Sequence, residues 1–179
     1  TEEYDYIKNS IYKTYLACDA VSEEILLSHH YRCNEKIIAF NNQKYYNNKL
    51  VINSQSQADT PLIFKNIAGN TTNYKNTAPR EAEEIIEFIK DNPDKSIGVI
   101  TPFTNQKELI HAMLQENGMK DVPCGTVHAF QGDEKDVVLF SLALTEQTGQ
   151  GTYDWLKNNK ELINVATSRA KEQLVIPFL

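Results

Sequence analysis

Cys124 to Ser141 reads CGTVHAFQGDEKDVVLFS, and its two ends differ in character. A short β-compatible run ends at Val127, a polar, glycine-containing loop spans His128 to Asp136, and Val137, Val138, Leu139 and Phe140 follow without polar alternation. A strand with no polar face is one covered on both sides, as in the parallel sheet of an α/β domain. The loop joining the two strands then lies at a sheet edge, where ligands of open α/β sheets bind. It carries Thr126, His128, Gln131, Gly132 and Glu134 within nine residues. Taken alone, the stretch could also be an ordinary polar turn, so its neighbours have to decide.

Upstream, Ser96 to Ile100 (SIGVI) is a second buried strand, and a helix follows from near Asn105. Asn105 and Glu108 have capping-box spacing, Leu109, Ile110, Met113 and Leu114 form its apolar face, and Asn117-Gly118 closes it. Before that strand, Pro79 opens a helix whose stripe is Ala82, Ile85, Ile86 and Ile89. Its early turns carry Glu81, Glu83, Glu84 and Glu87, and Asp91-Asn92-Pro93 stops it. LIFKNI from Leu62 is a further strand, and Ala68 to Ala78 is a polar loop. Nearer the N-terminus, Tyr4 to Leu16 has helical spacing at Ile7, Ile11, Tyr15 and Leu16, and would pack by that stripe. Glu24 to Leu27 is a candidate strand, Arg32 follows its end, and Asn41 to Asn53 is asparagine-rich and reads as loop. Downstream, Glu146 to Asp154 reads as loop, Leu162 to Ala170 is apolar at helical spacing, and Leu174 to Ile176 is a last strand. Strands alternating with helices in this order specify an α/β domain with a largely parallel sheet.

Composition narrows the class. A chain of 179 residues, 41% apolar and 23% charged, fits one soluble globular domain. No run is long enough to span a membrane and the first residues are acidic, so the default expectation is a cytoplasmic protein without a membrane partner. The sequence starts at Thr1, which fits a piece of something longer. Eighteen basic against 24 acidic residues give −6, so any contact with a nucleic-acid backbone has to be local. Cys18, Cys33 and Cys124 do not have the pairing of a disulfide framework, and with His29 and His30 they lack the tight spacing of a structural zinc site. Cys124 and His128 could be a thiol and its base, but no third, orienting group stands near them in sequence.

Four separated pieces, HHYRCNEKI (29–37), VITPFTNQ (99–106), GTVHAFQGDEKDVVLFS (125–141) and LINVATSRAK (162–171), resemble in order and spacing the motifs of the second RecA-like motor domain of superfamily 1 helicases. They are most similar to the branch of the nonsense-mediated-decay helicase and its bacterial relatives. The resemblance implies a three-layer α/β/α RecA-like fold of the P-loop NTPase type and a role in ATP-dependent movement on nucleic acid. ATP with Mg²⁺ would lie between this domain and an N-terminal RecA-like domain of the same protein. By the same resemblance Arg32 and Arg169 reach the triphosphate as catalytic groups, and Gln131, Gly132 and Glu134 meet the nucleotide. Thr101, Thr126 and His128 touch a single-stranded nucleic acid, DNA or RNA. The chemistry is apt, since a guanidinium offers several donors to the oxygens of a transferring phosphoryl group and short hydroxyls suit a phosphate backbone.

The chain departs from the family pattern in places. Cys33, Asn34 and Glu35 stand where methionine, histidine and proline are usual, Ser168 replaces a common threonine, and the ending VIPFL lacks a glycine. No GxxxxGK[ST] phosphate loop occurs, nor the acidic pair that holds Mg²⁺; in this family both belong to the first motor domain. The expected activity is that of half a motor, inactive alone. The competing class is a degenerate RecA-like interaction module, which would have lost the two arginines; both are present.

Overall fold

The structure, a computed structural model, describes residues 10–18, 25–56, 58–69, 76–130 and 133–178. In chain order the elements are α1 (Ile11–Cys18), β1 (His29–His30), α2 (Glu35–Tyr45), β2 (Val51–Ile52), β3 (Leu62–Asn66), α3 (Pro79–Asp91) and β4 (Ile97–Thr101). They continue with α4 (Thr104–Glu116), β5 (Cys124–Thr126), β6 (Lys135–Phe140), α5 (Gln150–Asn158), α6 (Lys160–Thr167) and β7 (Ala170–Phe178). The main sheet has the order β3-β7-β6-β4-β5, and every pairing in it is parallel. β1 and β2 form a separate parallel pair.

Helices cover both faces. α3 and α4 bring Ala82, Ile85, Ile86, Ile89, Ile110 and Leu114 against Val99, Val137, Leu139 and Val175. On the other face α2 and α6 bring Ile37, Ile38 and Ala166 against Ile100, Val138, Phe140 and Leu174. Val137 to Phe140 alternate between these two clusters and all four are buried, so the unbroken apolar run is a strand with two covered faces, as its sequence implies. This is the three-layer α/β/α arrangement, and α3 starts on Pro79 and buries its whole predicted stripe.

Several elements differ from the sequence reading. α1 leaves Ile11, Tyr12, Tyr15 and Leu16 exposed, so none of its predicted stripe is buried among the described residues; Ile7 lies outside them. Ile25 to Leu27 form no strand and Glu24 lies outside the described residues; the strand is His29–His30, paired with Val51–Ile52. Much of the asparagine-rich segment is helix. Asn41 is fully buried and donates to Thr167 Oγ1 at 2.9 Å, and Asn42 exchanges two hydrogen bonds with the Leu50 backbone, so paired amides fill positions that composition assigns to a loop. α4 starts at Thr104 after Phe103 with no side-chain cap, which puts Asn105 inside its first turn. Of the expected loop Glu146 to Asp154, the part from Gln150 is the start of α5, because Leu156 docks with Ala78, Phe103 and Ala143 and that burial outweighs the low helix propensity of glycine and threonine.

Among its described residues the connection from β5 to β6 has no helix. Thr126 is level with Thr101 at one end of the sheet, whereas Lys135 begins β6 two residues before the partner of Ile97. The chain therefore travels back roughly 20 Å along the sheet, at about 3.3 Å per residue. Phe130, 4% exposed, holds this passage against the face by lying over Gly98 of β4 and Gly125 of β5. A Cβ on Gly98 would come within 2.9 Å of the Phe130 ring, and one on Gly125 within 3.1 Å. Gly98→Ala and Gly125→Ala should each destabilise the domain by about 1–3 kcal/mol in urea unfolding, as overpacking does. Gly151→Ala, where a Cβ would meet nothing within 4 Å, should change stability by about 0.5 kcal/mol or less.

Candidate nucleotide and nucleic-acid sites

At the amino ends of β6 and β7 a turn from the first motif meets the end of α6. Two cross-links bring them together: the Asn34 N–H donates to the Lys171 carbonyl at 2.7 Å, and the Cys33 thiol donates to the Ser168 carbonyl at 3.3 Å. Asn34 also caps α2 through Oδ1, which accepts from the Lys36 N–H. Residues that depart from the family pattern are thus the ones that staple this corner. The His30 Nε2 accepts from the Cys33 N–H at 3.0 Å, and burial, with the Arg32 charge second, lowers the His30 pKa and favours that neutral acceptor.

The charges gathered there are Arg32, Lys171 and Arg169 around Glu134, with the Lys135–Asp133 ion pair, 3.6 Å, adjoining them. Glu134 pairs with Arg32 through Nε and with Lys171 at 3.1 Å; the hydrogen bond from Lys171, with the Arg32 charge behind it, holds its carboxyl below the usual range. Arg169 is anchored by its own Nε on the Val165 carbonyl at 3.2 Å, with Nη1 3.5 Å from the Asp133 carbonyl. Burial, and then the Arg32 charge, lower its pKa; since an arginine keeps its proton in a folded protein, this is a partly desolvated guanidinium beside a second cation. Within a chain of net charge −6, the corner is locally cationic and its chemistry is that of an anion site. Arg32 and Glu134 remain more than a third exposed, so the corner is open to a ligand.

The other predicted contacts lie at the carboxyl ends of β4 and β5. Thr101 and Thr126 are register partners there. Thr101 is fully buried and its hydroxyl accepts from the Phe103 N–H, fixing the turn into α4, while His128 is exposed in the turn after β5. The structure therefore brings Arg32, Arg169 and Glu134 together at one end of the sheet and Thr101, Thr126 and His128 at the other, with the Phe130 passage between them. Gln131 and Gly132 lie outside the described residues. Sequence reasoning missed Lys171, although it stands inside the quoted LINVATSRAK string, and it missed the staple at Cys33 and Asn34. Among the described residues no cluster of His, Cys, Asp and Glu has the composition of a metal site, and no helix is long and apolar enough to cross a membrane.

A family model described as an AAA domain matches residues 7–177. The chain belongs to that family. It is the C-terminal domain of a superfamily 1 helicase of the Upf1-like group. The chain is 31% identical over 186 residues to the DNA polymerase alpha-associated DNA helicase A of Saccharomyces cerevisiae, covering 82% of this chain and 26% of that protein. To an ATP-dependent helicase of Methanocaldococcus jannaschii, itself uncharacterized, it is 29% identical over 180 residues, covering 84% of this chain and 26% of the relative. The chain thus spans about a quarter of the length of these relatives. In fold it is similar to the C-terminal domain of a possible DNA helicase from Lactobacillus plantarum, with a TM-score of 0.52 at 14% identity over 83% of this chain and 87% of that one.

Two of the three thiols, Cys33 and Cys124, are packed into the domain. Burial pushes Cys33 up to about 12 against the opposing pull of Arg32 and Arg169, and pushes Cys124 up to about 12 as well. Burial thus favours the neutral thiol at both positions, and the Cys124 thiol donates to the Lys107 carbonyl at 3.7 Å. Alkylation of the native protein followed by mass spectrometry should modify exposed Cys18 first and leave Cys33 and Cys124 almost untouched. Fast modification of Cys33 would mean that the corner opens readily.

Proposed function

We propose that this chain is the second motor domain of an ATP-dependent superfamily 1 helicase or translocase, completing an ATP site with an N-terminal RecA-like domain of the same protein. The observation that carries this reading is the single passage from Thr126 to Glu134, which touches both the cationic corner and the carboxyl end of the sheet. Arg32 and Arg169 meet the terminal phosphate, where charge spreads over the equatorial oxygens as the phosphoryl group transfers. Glu134 exchanges its salt bridges for ribose hydroxyls when the triphosphate arrives to neutralise Arg32 and Lys171, and Gln131 and Gly132 adjoin the nucleotide. Mg²⁺ is held by carboxylates of the first domain.

Single-stranded DNA or RNA runs along the carboxyl end, contacted by Thr126 and His128, with Thr101 setting the turn beneath it. A change at the nucleotide corner is then passed along the chain through Phe130, whose ring packs over Gly98 and Gly125 between the two ends. The reading as a degenerate module is weaker because both arginines and their supporting hydrogen bonds are retained.

In the full-length protein, Arg169→Ala should lower nucleic-acid-stimulated ATP turnover by about 10³- to 10⁵-fold while ATP-analogue affinity changes far less. Arg169→Lys should also be poor, because it keeps the charge without the fork. Arg32→Ala should behave like Arg169→Ala. Near-normal turnover in an Arg169→Ala protein that still melts cooperatively would overturn the proposal. The 179-residue chain alone should hydrolyse no ATP above a blank.

A further inference from the structure

Beside the carboxyl ends of β4 and β6 lies an open cleft of about 900 Å³, a volume within the usual range of small-ligand sites, roughly 300–1,000 Å³. Its walls include Phe103, Thr104, Thr145, Thr148, Thr152 and Trp155, and its lining among the described residues is uncharged. Trp155 packs against Phe103 with ring centroids 5.5 Å apart, yet remains 40% exposed, so a large aromatic surface faces solvent. The opposite wall is a tight turn in which Thr148 Oγ1 accepts from the Thr145 N–H at 2.7 Å. Ala143, also in the lining, has a φ of 51°, in the left-handed region that alanine avoids. Its N–H is held by the fully buried Glu81 carboxylate at 3.0 Å, which accepts at 2.6 Å from Ser141 Oγ as well. A strained residue fixed by a buried carboxylate gives the cleft a rigid floor.

The geometry points to a nucleobase-binding cleft in which Trp155 is the stacking platform, a site on the nucleic-acid track separate from Thr126 and His128. The inference rests on the reading of this domain as half of a nucleic-acid motor. A phosphate is held by cations, whereas the described lining offers an aromatic ring, hydroxyls and amides. A base is uncharged, flat and edged with donors and acceptors, and it meets here an aromatic surface among threonine hydroxyls. The position is right as well. Phe103 follows two residues after Thr101, whose hydroxyl accepts its N–H, and Thr101 is the register partner of Thr126. The strand is thus gripped by its backbone at β5 and by a base at α5.

Trp155 is the only tryptophan in the chain, so its emission reports on this cleft alone. Titrating the protein at low salt with short oligo(dT) and oligo(U) should quench that emission saturably, in step with the anisotropy of the labelled oligonucleotide. An abasic deoxyribose-phosphate oligomer of equal length should give little quench. Trp155→Ala, followed by anisotropy and checked for cooperative melting, should bind the normal oligonucleotide about 5- to 150-fold more weakly, the loss expected when one stacked base is released. Trp155→Phe, which keeps a stacking ring and a side chain against Phe103, should recover most of that affinity. Oligonucleotide binding with unchanged emission, or an equal quench by the abasic oligomer, would overturn this inference and leave the motor reading intact. No binding by either signal would remove both.

Discussion

Phe130 lying across Gly98 and Gly125 is the contact on which the rest of the molecule depends. Parallel strands need a crossover, and most crossovers in such sheets use a helix that packs on one face. Here a short irregular segment makes the journey, and it can do so only because two strands lack a Cβ where the ring comes down. With the segment clamped, the residues before Phe130 are fixed at one end of the sheet and those after it at the other. The same clamp fills the core beside Ile100, Val127 and Val138, so stability and site geometry depend on one packing event.

The electrostatics follow from that placement. An acidic chain does not attract a polyanion as a whole, and the −6 charge is compatible with an anion site only if the cations are concentrated. They are concentrated where the end of α6, the turn after β1 and the end of the Phe130 passage converge. Glu134 keeps Arg32 and Lys171 in place by direct pairing, while Arg169 depends on backbone carbonyls for its position. A guanidinium held by carbonyl oxygens keeps its full charge for a ligand, whereas one paired to a carboxylate must first exchange partners. The two arginines therefore differ in what an incoming anion would have to displace.

At the opposite end the supporting structure is a buried polar network. Gln106 bridges the Ala78 backbone and Ser141, Ser141 donates to Glu81, and Glu81 holds the Ala143 N–H. Each hydrogen bond runs from donor to acceptor without conflict, which is the condition under which buried polar groups rigidify a fold instead of weakening it. Three elements, α3, α4 and the end of β6, are thereby locked at one point, and the rim around Phe103 and Trp155 stands on it. Glu81 in sequence looks like one of several acidic residues favouring a helix start; its actual task is to fix a loop across the sheet.

The parallel α/β order, the stripe of α3, the doubly covered β6 and the family were legible in the sequence because each is written in consecutive residues or in a short motif whose periodicity or string survives without its context. Arg32, Arg169 and Glu134 stand in such strings, and the fold brings the three to one corner. The structure decided what depends on residues distant in the chain. Asn41 and Asn42 belong to a helix because Thr167 and Leu50 satisfy their amides, and α5 exists because Leu156 finds Ala78 and Phe103. Lys171 joins the cationic corner because the Asn34 N–H binds its carbonyl, and two glycines lie beneath one phenylalanine that is remote from Gly98 in sequence. Local pattern records propensity and burial period; it does not record which donor will meet which acceptor, because that pairing is chosen only when the layers pack.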